Sequence, residues 1–172
     1  MSINHYLLPV TDDQLSTILS DPKLVRELVD QREADVTELG QQGVAIVALT
    51  AESDVDPLAF IRMGGPEEAS GWIGKYAEED GCVIECEVDM GYGPASYYRN
   101  SFLREVARKL EPITADNFES SYDADWLEEN DVYPGGWHET GRKDDLVESF
   151  KLYRACILSA MQSGEHLLVW CA

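Results

Sequence analysis

His138 is the side chain in this sequence best placed to move a proton. It follows the stretch DVYPGGW (131–137) and precedes Glu139. An imidazole titrating near neutral pH would there stand beside a carboxylate and two aromatic rings. Tyr133 and Trp137 flank that Pro-Gly-Gly corner, and GYGPASYY (91–98) adds Tyr92, Tyr97 and Tyr98. Together these rings could rim a pocket in which His138 acts as general base. The spacing commits no nucleophile to it, so no catalytic residue is assigned. His5 and His166 fall in apolar, strand-like runs and read as satisfied core imidazoles. The corner also has a purely structural use. Pro-Gly suits the centre of a tight turn, and two buried rings would pin the loop and aim the helix that follows.

Other candidate chemistry is weaker. Glu85, Glu87 and Asp89 alternate with Ile84, Cys86, Val88 and Met90, which predicts a half-buried strand with an acidic outer face. Same-face carboxylates on a strand stand about 7 Å apart, so a hard cation would need ligands from elsewhere. Cys82, Cys86, Cys156 and Cys171 lack zinc-knuckle spacing and read as reduced thiols, with Cys156 buried on a helix. Arg99, Arg104, Arg108 and Lys109 form the one dense basic cluster; it suits an anion or neutralisation by neighbouring acids. The sequence has no nucleophile elbow, phosphate-binding loop, dinucleotide fingerprint or His-Glu-x-x-His. No cofactor and no metal is expected.

Charge restricts the partners. Thirty-three acidic residues against thirteen basic ones give a formal net charge of -20. Such a surface repels nucleic acid and anionic membranes and attracts a basic protein partner. No run approaches the roughly 18–20 apolar residues of a membrane span. The start, MSINHYLLPVTDD, lacks a cationic segment and a long apolar core, so a cytoplasmic location is expected. Oligomeric state stays open.

The elements that must position these groups follow from periodicity. INHYLLPV predicts a strand ended by Pro9. Thr11 and Gln14 form a capping box for a helix with Leu15, Ile18 and Leu19 on one face, and Asp21-Pro22 restarts a second helix. GVAIVALT (43–50) reads as a buried strand, Pro57 opens a turn of helix, and Pro66 begins a helix through Tyr76. GYGPASYY reads as a turn, and Asn100 caps a helix carrying Leu103, Val106, Ala107 and Leu110. Phe118, Tyr122, Trp126 and Leu127 anchor short helical pieces. The strongest period runs over 143–163, where Leu146, Phe150, Tyr153, Ile157 and Met161 make one stripe. Gly164 caps that helix, and HLLVWCA returns as a terminal strand.

GYGPASYY, a helix, DVYPGGW, a long helix ending in Gly and a short apolar strand together resemble the YfbM-like family, a bacterial domain of unknown function. The resemblance runs from about His5 to the C-terminus and implies a small α+β fold. Members often carry an aromatic-rich segment before Leu-Thr-Gly, which residues 41–52 here lack. It implies no activity and no catalytic residue. The chain is therefore expected to be one α+β domain over residues 1–172, with a small mixed β-sheet packed by helices and a long C-terminal helix before a terminal strand. Its expected function is non-enzymatic binding of a basic macromolecule, of inhibitor or immunity type. The alternative is an enzyme or small-ligand binder using the tyrosine-rich pocket with His138.

Overall fold

Among the described residues, the first and last strands lie side by side in the middle of a four-stranded antiparallel sheet, ordered β2-β1-β4-β3. A computed structural model describes residues 3–42, 84, 88–129 and 131–172. The segments read above as a strand (43–50), a turn after Pro57 and a helix from Pro66, together with Cys82, Glu85, Cys86 and Glu87, lie outside the described residues. β1 is His5–Val10, β2 Thr37–Gly40, β3 Ser96–Tyr98 and β4 His166–Cys171. The helices are α1 (Asp12–Ser20), α2 (Leu24–Gln31), α3 (Asn100–Leu110), α4 (Ala115–Ser120), α5 (Ala124–Glu129) and α6 (Arg142–Ser163). Among the described residues no helix is long and apolar enough to cross a membrane.

β1 runs through Pro9 rather than stopping there, and pairs with β4 from His5↔Cys171 to Val10↔His166. The proline is tolerated because its missing N–H faces away from β4. The Pro9 carbonyl, which points the same way, accepts from Arg32 Nη1 at 2.6 Å, and β2 pairs with β1 only as far as Leu7. The sheet separates two cores. One holds Leu7, Leu39, Tyr98, Trp137, Phe150, Ile157 and Val169 beneath α3 and α6. The other holds Leu8, Val10, Leu15, Ile18, Val25, Tyr97 and Trp170 beneath α1 and α2. The period-2 pattern of β4 supplies both, since Val169 and Trp170 point to opposite faces.

Helix ends follow the sequence signals with two exceptions. The Thr11–Gln14 capping box forms. α6 ends in a Schellman motif at Gly164 (φ 73°), with Glu165 N–H bonded to Ala160 O at 2.9 Å and Gly164 N–H to Met161 O at 3.3 Å. α2, however, begins at Leu24, because the Asp21 carboxylate takes the Lys23 N–H (3.3 Å) and closes a turn first. Asn100 does not cap its own helix. Its Nδ2 donates to Ala160 O, Met161 O and Glu165 O, so it ties the end of α6 to the start of α3. The exposed α3 amide is capped from outside, the Asn100 N–H donating to His166 Nδ1 at 3.0 Å. At the other end of α3, Arg154 of α6 donates to Leu110 O (3.1 Å) and Glu111 O (2.8 Å). The long helix thus closes the C-terminal end of α3, while the start of α3 closes the end of the long helix.

The candidate functional site at one end of the sheet

Two aromatic loops, far apart in sequence, land on the same end of the β1–β4 pair. The first is the turn at 89–93. Asp89 Oδ1 accepts the Gly91 and Gly93 N–H groups, each at 2.9 Å, and the Met90 N–H bonds Gly93 O at 2.8 Å. Those two amides hold the Asp89 carboxyl below its usual range. The Tyr92 N–H then bonds Cys171 O at 3.0 Å. Gly91 is required here. Its φ is 134°, and a Cβ would lie 2.7 Å from Ala172 Cα.

The second loop is the corner 131–137. Trp137 is 1% exposed, and its Nε1 donates to Val132 O at 2.7 Å. The Trp137 amide donates to the Glu128 carboxylate, and the Trp137 carbonyl accepts from the Tyr122 hydroxyl. The Tyr133–Pro134 peptide is cis, and Gly135 and Gly136 have φ of 77° and 68°. Tyr133 is half-buried, and its hydroxyl accepts the Ile3 N–H at 2.8 Å. Residues 4 and 172 exchange both backbone bonds, at 2.7 and 3.0 Å. Tyr92 therefore reaches this end of the sheet through β4, and Tyr133 reaches it through β1.

Beneath this junction lies a pair that sequence reasoning did not bring together. His5 is fully buried, and its Nδ1 is 3.3 Å from Cys171 Sγ. Its Nε2 is buried without a hydrogen-bond partner. Burial pushes the His5 imidazole down to about 4 and the Cys171 thiol up to about 11. Moving the thiol proton onto His5 would run against both shifts. The pair rests neutral and lacks the thiolate that a nucleophile needs. No sequence signal could have joined these residues, because only the β1–β4 register sets His5 opposite Cys171.

The other candidates go elsewhere. Tyr97 and Tyr98, read as part of a turn, form β3 with Ser96 and are buried on opposite faces of the sheet. The two rings cannot line one rim with Tyr92, which is 48% exposed. Trp137 belongs to the larger core. His138 faces solvent outside the corner, with Nε2 3.2 Å from Asp125 Oδ1 and side chains 60% and 83% exposed. His166 is buried and satisfied. Its Nδ1 accepts from Asn100, which places the proton on Nε2, 2.7 Å from Asp12 Oδ1.

At the acidic run, Ile84 is buried, Val88 and Met90 are partly buried against the same core, and Asp89 is exposed. The alternation of sides holds at these positions, though residues 88–90 form no strand. Cys156 is a buried free thiol and Cys171 a partly buried one. The basic cluster is partly spent internally. Arg99 lies over the Tyr97 ring, 5.4 Å from its centroid, and Arg104 Nε donates to Asn100 Oδ1 at 3.0 Å; Arg108 is exposed. No group of three or more metal-ligating side chains occurs among the described residues.

A four-stranded antiparallel sheet carrying a long C-terminal helix and a terminal strand defines a single-domain α+β protein. The chain belongs to the family described as Domain of unknown function (DUF1877), whose model matches residues 1–170. Among solved structures it is similar to YfbM from Escherichia coli, a protein of unknown function. The TM-score is 0.57 at 15% identity, over 98% of this chain and 99% of that one. At that identity the likeness speaks for the fold. No curated protein matches.

Proposed function

We propose that this is a non-enzymatic binding protein whose acidic surface receives a basic macromolecular partner. One observation supports it: among the described residues seven cations are engaged by backbone carbonyls, a ring or neighbouring carboxylates, while many carboxylates face water. Arg32 and Arg154 cap backbone carbonyls, Arg26 donates to Asp89 O, and Arg99 covers a tyrosine. Arg142, Lys143 and Lys151 pair with Glu139, Glu119 and Glu148. Against these stand carboxylates as exposed as Asp12 at 87% and Asp125 at 83%. With a formal charge of -20, the outward field is negative and speeds encounter with a positively charged surface. The pairing of inhibitors with basic toxins or nucleases has this electrostatic form.

The test is capture from the native cell at low salt, elution along a salt gradient, and identification by mass spectrometry. A basic protein recovered in near-equal amount and released as salt rises is the expected result. A neutral or acidic protein held through the gradient would overturn the reading. A small-ligand reading keeps one observation in its favour, the convergence of Tyr92 and Tyr133 on the same sheet end. It predicts a thermal shift with a small molecule, and that shift should vanish in Tyr133→Ala.

A further inference from the structure

Three large apolar side chains are exposed among the described residues: Leu19 (37%), Leu152 (42%) and Tyr92 (48%). The two leucines lie singly on helices, as surface leucines commonly do. Tyr92 differs in how it is held. Four backbone bonds fix its turn: two to Asp89 Oδ1, one from Met90 to Gly93, and one from Tyr92 itself to Cys171. Gly91 packs so closely on Ala172 that no other residue fits. The backbone that carries the ring is thus fixed before any partner arrives. A tyrosine presented this way loses little conformational entropy on binding, which is why tyrosine is frequent at binding hot spots.

We infer that the Tyr92 turn is the anchor by which the acidic surface takes an arginine-bearing segment of its basic partner, with the guanidinium lying over the phenol ring. This rests on the binding reading above. Two features of the site choose arginine. An aromatic face attracts a cation, and a planar guanidinium stacks on it where an ammonium cannot. The exposed Asp89 carboxylate, whose Oδ1 accepts the Gly91 and Gly93 amides, lies three residues away in sequence. The Arg26 guanidinium at the Asp89 carbonyl offsets part of its charge, so the pull on a second cation comes mainly from the acid excess of the chain as a whole. The chain already makes this contact once within itself, where Arg99 covers Tyr97 at 5.4 Å. In Tyr92 the same kind of ring faces outward.

Fluorescence anisotropy with a labelled oligoarginine peptide and a length-matched oligolysine peptide at low salt tests the inference. Wild type should bind both, with oligoarginine the tighter. Tyr92→Ala should weaken oligoarginine about fivefold, a typical arginine–aromatic contribution, and change oligolysine little; Tyr92→Phe should keep wild-type affinity. Gly91→Ala, which leaves the ring but displaces the turn from Ala172, should copy the loss. Equal oligoarginine affinity in wild type and Tyr92→Ala would overturn the anchor while leaving the acidic-surface reading standing. Failure of wild type to bind either peptide at low salt would overturn both.

Discussion

The corner at 131–137 and the turn at 89–93 are built from the same residue types and deployed in opposite directions. Each sets an aromatic beside glycine and proline, and each is stitched to the same sheet end. In the corner, Glu128, Val132 and Tyr122 satisfy every polar group of Trp137. The indole can then be buried at no hydrogen-bonding cost. In the turn, Asp89 and Cys171 take the amides, and the close approach of Gly91 to Ala172 leaves Tyr92 on the outside. An aromatic next to Gly-Pro therefore says that a loop is fixed. Whether the ring goes in or out depends on which distant groups meet the backbone.

The largest expected effect probes the inward half of that contrast. Trp137→Ala removes a fully buried indole and one of the two hydrogen bonds to Val132 O, which keeps the Gly135 N–H. Truncations of this kind cost about 3–5 kcal/mol, a large share of the about 5–15 kcal/mol that holds a domain. Urea unfolding should show a sharply lower midpoint. Coincident midpoints would mean that the corner does not pin the fold.

His5, under the junction of the two loops, gives the next effect. Its folded pKa lies near 4, below its ordinary value, so the unfolded chain takes up a proton first as pH falls. The stabilisation from keeping His5 neutral is complete above about pH 6.5 and declines at about 1.4 kcal/mol per pH unit down to about pH 4. At pH 5 the loss should be about 2 kcal/mol. Unfolding of wild type and His5→Phe at pH 7 and pH 5 measures it. The phenylalanine variant should lack that part of the decline, and equal slopes would show that His5 is not buried neutral.

Much of this architecture was legible in the sequence, and the failures share a cause. The α6 stripe is legible nearly in full, because 22 residues of regular period leave little ambiguity; Leu146, Phe150, Tyr153 and Ile157 are buried and Met161 partly so. The Thr11 capping box was equally local. β2, four residues long, carries too little pattern to announce itself. β3 reads as a turn in the sequence because Ser96–Tyr98 is only three residues beside a Gly-Pro signal. What makes it a strand is pairing with β4. Asn100 looked like a local cap, yet its side chain serves carbonyls some sixty positions away. At the candidate site, Tyr92 and Tyr133 stand out in the sequence as aromatics beside turns, but their meeting place does not. The sheet end forms only when the first and last strands pair.

Tyr133→Phe separates the two loops at their meeting point. The ring keeps its packing and only the acceptor for the Ile3 N–H is lost. A hydrogen bond of this kind contributes about 1 kcal/mol. The change should appear as a small drop in the unfolding midpoint and faster hydrogen exchange at the Ile3 amide. Unchanged exchange there would mean that the corner does not hold the start of β1, and the two loops would then be independent.

The smallest expected effect is the sharpest discriminator between the halves. Tyr92 is half exposed, and its turn is held by backbone groups and the Asp89 carboxylate rather than by its ring. Replacing it with alanine removes no described side-chain hydrogen bond and no member of the buried core. The stability change should stay within about 0.5 kcal/mol, the range of ordinary surface substitutions. Measured beside Trp137→Ala under the same conditions, Tyr92→Ala should unfold at the wild-type midpoint. A drop approaching that of the tryptophan variant would show that Tyr92 is a structural ring, as Trp137 is. The outward deployment of the turn, and the arginine contact drawn from it, would fall with that result. A wild-type midpoint leaves an aromatic side chain displayed at no structural gain, as a contact residue for a partner would be.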